Sequence, residues 1–268
     1  MSRLSVTLSD LIQRGKKSLV VYVVAGDPSP DQTVALMDTI VDAGADVIEL
    51  GIPFSDPEAE GPVIQKAHER ALENEISLSS CLEMVKSFRK KNRQTPVVLM
   101  GYLNPIEAMG YEVFSRKASE SGVDGTILVN LPPEEIVSFQ GSLEKNDIEP
   151  VFLLAPTTNE KRGKLICETS RGFVYYVSVK GTTGRAEIDI SEVGKRVEFF
   201  KQQSSLPILV GFGIRDPDTA RQIGSVADGV VIGSAVVEMI DLYSPSSEEM
   251  LARVSDFVKK VRSALDGS

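Results

Sequence analysis

The sequence predicts an α/β protein in which eight parallel strands, each followed by a helix, close into a (β/α)8 or TIM barrel. Short β-branched runs recur along the chain, each run is closed by Gly, Pro, Asn or Asp, and a segment with helical periodicity follows it. Near-regular spacing, and the lack of a GxGxxG turn after the first run, favour a closed barrel over an open doubly wound sheet. The predicted strands are 19–25, 47–51, 96–101, 125–130, 150–155, 172–179, 207–211 and 229–233.

The segments between these strands have the apolar spacing of amphipathic helices, and right-handed helical crossovers return the chain to a parallel neighbour. We also predict an extra N-terminal helix and an inserted segment after the second strand. The length of 268 residues would allow two smaller domains, but one barrel of about 250 residues accounts for the chain as a single domain, residues 1–268. The clearest predicted helices are 31–43, 105–121, 133–144, 189–203 and 247–265.

The composition excludes several classes of function. The 38 acidic residues outnumber the 29 basic ones, the net charge is -9, and the chain lacks the basic stripe of a nucleic-acid binder. Its apolar stretches are too short or too interrupted to cross a bilayer, and its first residues lack the pattern of a secretory signal. We therefore expect a cytoplasmic protein that binds neither nucleic acid nor membrane.

The cysteines and the histidine predict no metal site. Cys81 and Cys167 lie in predicted helices and are expected to be buried thiols in a reducing compartment. His68 is the only histidine, which excludes His-rich metal sites. It lies in the polar helical run QKAHERALE and is predicted to occupy a solvated face.

The inserted segment begins with IPFSDPEAEGPVIQ, directly after the second strand. Loops in this position lie at the C-terminal face of a barrel, where barrel active sites are found. Its prolines are Pro53, Pro57 and Pro62, and its carboxylates are Asp56, Glu58 and Glu60. The composition fits a functional loop and a solvated loop of turn-forming residues equally well.

Glu49 stands near the end of the second strand, between apolar neighbours. An acid in a barrel strand is costly to bury against the helices without a partner, so we expect its side chain to point into the mouth of the barrel. Apolar walls would raise its pKa, as a general acid or base at neutral pH requires. A structural ion pair is the alternative, and we favour the catalytic interpretation.

Glycines at the last strand ends predict a phosphate site. In GFGIRDPD and VVIGSAVV a glycine-rich strand end leads into a helix start, so N–H groups of Gly213, Gly233 and Ser234 could converge on an anion. Phosphate sites between the seventh and eighth strands recur in this fold. The preceding loop, KGTTGR, contributes Gly184 as part of a possible lid.

Apolar and aromatic residues near the strand ends fit a pocket for a flat apolar ring. Such residues also fill the interior of any barrel, and periodicity does not distinguish the two interpretations. The residues concerned are Tyr22, Met100, Ile127, Leu153, Tyr175, Phe212 and Val231.

Six motifs follow one another along the chain: VIELGIPFSDPEAEGPVIQ, LMGYLNPI, GTILVNLPPEE, FLLAPTT, YYVSVKGTTG and GFGIRDP. Together they resemble the α subunit of tryptophan synthase across essentially the whole chain, and ELGIPFSDP is highly specific. The resemblance implies a (β/α)8 barrel that cleaves indole-3-glycerol phosphate into indole and glyceraldehyde 3-phosphate by a retro-aldol reaction. It also implies an α2β2 complex in which the β subunit carries pyridoxal phosphate, and no cofactor in this chain.

The resemblance also implies roles for individual residues. Glu49 matches the proton-shuttling acid, and Glu60 stands where the family has an Asp that holds the indole N–H. Tyr175 and Phe212 match residues that line the indole pocket. The implied phosphate-binding residues are Gly184, Gly213, Gly233 and Ser234, and the implied contacts with the β subunit are Pro53, Asp56, Pro57 and Asn104.

The chain departs from the family pattern at three positions, namely Glu60 for Asp, Asn130 for Asp and Val179 for Arg. A catalytic carboxylate misplaced by ~1 Å can lower a rate by ~10²-fold. Two functions therefore remain open. The chain is either a working lyase subunit or a catalytically impaired subunit that serves mainly as an allosteric activator of the β subunit.

Overall fold

The computed structural model describes residues 2–178, 189–211 and 213–267. The predictions for Val179, Gly184 and Phe212 lie outside these residues. The strands are β1 Ser18–Val24, β2 Val47–Gly51, β3 Val97–Gly101, β4 Gly125–Leu128, β5 Glu149–Val151, β6 Leu153–Leu154, β7 Val174–Val177, β8 Ile208–Gly211 and β9 Gly229–Ile232. The helices are α1 Arg3–Gln13, α2 Pro30–Asp42, α3 Pro62–Glu73, α4 Leu78–Phe88, α5 Leu103–Met109, α6 Tyr111–Ser121, α7 Val137–Lys145, α8 Glu160–Thr169, α9 Ile190–Lys201, α10 Pro217–Val226, α11 Ser234–Tyr243 and α12 Ser247–Asp266.

The strands form one parallel sheet in the order β5-β4-β3-β2-β1-β9-β8-β7-β6. The two ends of this order, β5 and β6, are separated in the chain by Phe152 alone, so the sheet returns to its starting point as in a barrel. The prediction of a (β/α)8 barrel is confirmed. The predicted strand 150–155 is divided, because its first part pairs with β4 and its second part pairs with β7.

Two predicted helices differ from the observed ones. The predicted helix 105–121 is broken into α5 and α6 at Gly110, whose φ of 86° lies in the left-handed region that favours glycine. The predicted helix 133–144 begins later, at Val137, after a turn in which the Glu135 N–H donates to the Pro132 carbonyl. The inserted segment after β2 comprises the loop 52–61 and the helices α3 and α4.

The predicted N-terminal helix is α1, and it covers the end of the barrel where the strands begin. Its Leu4 is fully buried, and a Cβ on Gly125 or Gly172 would lie 3.3 or 2.7 Å from the Leu4 Cδ2. Arg3 of the same helix donates to Asp124 at 2.6 Å, just before β4. Helix α1 thus covers the N-terminal end of the barrel, which leaves the C-terminal ends of the strands as the place for a site. Among the described residues, no helix combines the length and apolarity needed to span a membrane.

Candidate active site

Glu49 lies inside the barrel on β2, in register with Tyr22 on β1 and Val98 on β3. Its side chain is 1% exposed, and its Oε2 has no hydrogen-bond partner among the residues that the structure describes. Burial, and then the neighbouring charge of Glu60, raise the pKa of Glu49 to about 8. Glu49 is therefore mainly protonated at neutral pH, as predicted from its apolar strand, and no ion pair involving it is found within the described ranges.

Glu60 belongs to the loop 52–61 and is only 3% exposed. Its Oε2 accepts a short hydrogen bond from the Tyr102 hydroxyl, and that hydroxyl accepts from the Ala59 N–H at 2.9 Å. The Phe54 ring stacks on Tyr102 at 4.8 Å between centroids. Burial raises the pKa of Glu60, while the Tyr102 hydrogen bond acts in the opposite direction. The loop is thus packed onto the barrel at Glu60 and Phe54, although Asp56 and Glu58 are exposed.

The prediction of a solvated His68 is wrong. The residue is 1% exposed. The Phe54 N–H donates to Nδ1 of its ring at 3.0 Å, and the Tyr22 hydroxyl lies 3.2 Å from Nε2. Burial lowers the pKa of His68 to about 4, so the ring is neutral at pH 7. The spacing of the buried residues Ile64, His68 and Ala71 on α3 was the available signal for an inward face.

The Tyr22 side chain crosses to the neighbouring strand β2. A Cβ placed on Gly51 would lie 2.3 Å from its hydroxyl oxygen, so only glycine leaves room for the ring there. Gly51 is in register with Met100 on β3, and Met100 is in register with Ile127 on β4. The Tyr22 hydroxyl, Met100 and Ile127 therefore lie around one level of the barrel wall, and these three predicted pocket residues are all buried.

Tyr175 on β7 is arranged like Tyr22. Its hydroxyl would lie 2.2 Å from a Cβ on Gly211 of β8. Burial, followed by the charges of Glu49 and Glu60, raises the pKa of Tyr175 well above its ordinary value. Because β7 lies far round the sheet from β2, these groups meet in the interior of the barrel. Val231 on β9 is buried in register with Val20, one inward-facing level below Tyr22.

The predicted phosphate-binding residues in the described ranges lie at adjacent strand ends. Gly213 follows β8 with a φ of 78°, and Gly233 follows β9 as the residue before α11, which begins at Ser234. Strands β8 and β9 pair directly. The first N–H groups of a helix have no acceptor within it, and the first turn of α11 carries no acidic residue that would repel an anion.

The predicted contacts with the β subunit differ in accessibility. Asp56 and Asn104 are exposed, Pro57 is half-buried, and Pro53 is buried and can only support the loop from beneath. Asn130 joins this region, because its Oδ1 accepts from the Leu103 N–H at 2.8 Å and its Nδ2 donates to Asn104 at 3.2 Å. An Asn at position 130 therefore performs the N–H acceptor role that an Asp could also perform.

Tyr102 and His68 are site residues to which sequence reasoning assigned no role. Tyr102 occurs in the motif LMGYLNPI, but its contact with Glu60 joins residues 42 positions apart. The parts of the chain that the structure describes contain no cluster of three or more His, Cys, Asp or Glu residues suited to a metal ion.

The chain is similar to known proteins over its full length. The family model described as tryptophan synthase alpha chain matches residues 8–266. The tryptophan synthase alpha chain of Marinobacter nauticus is 52% identical over 266 residues, covering 99% of this chain and 98% of that protein. The tryptophan synthase alpha chain of Cupriavidus taiwanensis is 50% identical over 266 residues, covering 99% of this chain and 100% of that protein.

Solved structures give the same result. The crystal structure of tryptophan synthase subunit alpha from Legionella pneumophila superposes with a TM-score of 0.93 at 43% identity and covers 100% of both chains. The structure of Mycobacterium tuberculosis tryptophan synthase has a TM-score of 0.89 at 31% identity and covers 98% of both chains. Members of the family are lyases that cleave indole-3-glycerol phosphate and form a complex with a β subunit. The family resemblance of the sequence is thus confirmed, and this chain belongs to the tryptophan synthase alpha chain family.

Proposed function

We propose that this chain cleaves indole-3-glycerol phosphate into indole and glyceraldehyde 3-phosphate, in complex with a tryptophan synthase β subunit. The observation that carries the proposal is the pair of buried carboxyl groups in one barrel interior. Glu49 has its pKa raised to about 8, and Glu60 is held by the Tyr102 hydroxyl. Two acids whose environments differ in this way are suited to separate roles as a proton donor and a stabilising carboxylate.

The two carboxyls fit the proton transfers of a retro-aldol cleavage. Protonation of the indole ring carbon that bears the side chain converts the ring into an electron sink, and protonated Glu49 supplies this proton. Positive charge then develops at the indole nitrogen, where the Glu60 carboxylate accepts the N–H. Glu49, now ionised, takes the proton of the adjacent side-chain hydroxyl as the carbon–carbon bond breaks and the aldehyde forms. Glu49 ends the cycle protonated, as it began.

The rest of the site supports binding of the two parts of this substrate. Buried Tyr22, Met100, Ile127, Tyr175 and Val231 offer apolar contacts for the indole ring, and we include Phe212 on the family resemblance. The phosphate is assigned to Gly213, Gly233 and Ser234, at the ends of β8 and β9, with Gly184 from the family motif. The proton transfers require only side chains of this chain, so we propose that it uses no cofactor and that pyridoxal phosphate belongs to the β partner.

The partner surface is assigned to Asp56, Pro57 and Asn104, with Pro53 supporting the loop. Asn130 connects this surface to the barrel through its bonds to Leu103 and Asn104. We also propose a cytoplasmic location, because free Cys81 and Cys167 are buried thiols of the kind that a reducing compartment maintains.

A catalytically impaired subunit that activates the β subunit allosterically is the second candidate, favoured by Glu60 at the position of the family's Asp. Activation requires only different affinities for two β conformations and no turnover at Glu49. The test measures two rates with a saturating β subunit: indole release from indole-3-glycerol phosphate, and tryptophan formation from indole and serine. Stimulation of both rates supports the lyase, and stimulation of the second alone supports the activator.

Shortening Glu60 to Asp is expected to lower indole release by up to ~10²-fold, because the Tyr102 hydroxyl holds the longer carboxylate in place and a displaced catalytic group loses rate steeply. The rate is measured with saturating β subunit, and stimulation of the reaction from indole and serine serves as the control. An increase in indole release on Glu60→Asp would instead identify the extra methylene as an impairment.

A further inference from the structure

The two contacts of His68 define the direction of a hydrogen-bond chain. A backbone N–H can only donate, so the Phe54 N–H requires an unprotonated Nδ1, and the proton of the neutral ring is assigned to Nε2. The Nε2–H lies 3.2 Å from the Tyr22 hydroxyl oxygen and therefore donates to it. The hydroxyl of Tyr22 is thus an acceptor toward His68, and its own proton must point elsewhere.

The Tyr22 hydroxyl lies on the inner wall of the barrel, where a ligand oxygen in the site can accept that proton. The Tyr22 hydroxyl occupies the place of a side chain at Gly51, which is two residues beyond Glu49 on β2 and on the same inward face. It therefore lies about 6–7 Å further along the strand than Glu49, toward the C-terminal mouth. Across residues 2–178, 189–211 and 213–267, His68 is the hydrogen-bond partner found for this hydroxyl.

The groups around the Tyr22 hydroxyl favour a neutral donor. Glu49 on β2, Glu60 in the following loop, Tyr102 after β3 and Tyr175 on β7 all act on its ionisation. Burial, and then these groups, raise the pKa of Tyr22 well above its ordinary value, so the phenol keeps its proton. An oxygen of a ligand placed above Glu49 would find the Tyr22 O–H available.

We infer that His68 is a positioning residue: it fixes the Tyr22 hydroxyl as a donor to the side-chain oxygen of the substrate that becomes the aldehyde oxygen. The inference rests on the proposed function. The donated bond strengthens as that oxygen loses its proton to Glu49, so it stabilises the transition state more than the bound substrate. Through the Phe54 N–H, the same histidine also ties the donor to the loop that carries Glu60.

Two variants of His68 separate its two hydrogen bonds. In His68→Gln the side-chain amide N–H2 reaches the position of Nε2 and can still donate to Tyr22. In His68→Asn the shorter amide oxygen replaces Nδ1 as the acceptor for Phe54, and the contact with Tyr22 is lost. Tyr22→Phe removes the hydroxyl alone. Exposed Glu69, the next residue on α3, provides the control variant Glu69→Gln.

Indole release with saturating β subunit is the measurement. Tyr22→Phe and His68→Asn are each expected to lower kcat about tenfold or more, with little change in KM. The double variant should be no slower than either single variant, because both remove the same bond. His68→Gln should be faster than His68→Asn, and Glu69→Gln should match the wild type. If His68 were merely structural, its substitution would not lower kcat while leaving KM nearly unchanged.

The histidine can also be observed directly. Because His68 is the only histidine in the chain, its ¹⁵N ring signals are unambiguous, and we expect Nδ1 unprotonated and Nε2 protonated at pH 7. An Nδ1-protonated ring, an unchanged kcat in Tyr22→Phe, or additive effects in the double variant would overturn the inference while leaving the proposed function intact. A wild-type chain without indole release would overturn both.

Discussion

The variant Glu49→Gln is expected to release indole roughly 10²–10⁴-fold more slowly than the wild type. Gln keeps the size of the side chain but can neither give a proton to the indole ring nor take one from the hydroxyl. The loss should appear in kcat, measured with saturating β subunit, because the phosphate and indole contacts do not involve Glu49. Stimulation of tryptophan formation from indole and serine should remain, which shows that the variant folds and binds its partner. Equal rates for variant and wild type would exclude Glu49 as the proton carrier.

The same substitution is expected to remove a loss of stability that the wild type shows as the pH rises. The pKa of Glu49 is about 8 in the folded protein against 4.5 for an ordinary Glu, so between these values the folded state binds more protons than the unfolded state. The stability of the wild type therefore falls as pH rises from 4.5 to about 8. Gln carries no charge and does not have this dependence. The free energy of unfolding of the variant, minus that of the wild type, should increase by about 4 kcal/mol between pH 4.5 and pH 9.

Denaturant unfolding at several pH values measures this difference, and Glu69→Gln is the matched control. Glu69 is exposed, so its substitution removes one carboxylate without changing the barrel interior. The amide of Gln is buried where Glu49 Oε2 has no partner among the described residues, but any cost of this burial is independent of pH and only offsets the curve. A flat difference for Glu49→Gln would show that Glu49 is ionised in the folded protein at neutral pH.

The barrel was predictable because both periodicities are strong. Most strands are short buried apolar runs closed by a turn-forming residue, and the helices between them are amphipathic. Two of the differences from the predicted elements have local causes that an apolar pattern does not encode. Gly110 ends one helix and begins another through its left-handed backbone, and the strand around Phe152 divides between two neighbours.

The candidate site was predictable in part. Glu49 could be recognised because an acid within an apolar strand has few places to point. His68 and Tyr102 were missed because their roles depend on contacts with Tyr22 and Glu60, more than 40 positions away. The polar residues around His68 on α3 concealed its inward face, although Ile64 and Ala71 have the spacing of a buried stripe.

The pH dependence of kcat/KM for indole release tests most directly the central claim that a protonated, buried Glu49 starts the cleavage. Burial raises the pKa of Tyr22 and Tyr175 well above the ordinary value, so Glu49 is the group expected to titrate in the alkaline range. We predict that kcat/KM falls above an apparent pKa near 8, by about tenfold for each further pH unit. A rate that stays constant or rises between pH 7 and pH 10 would contradict this mechanism.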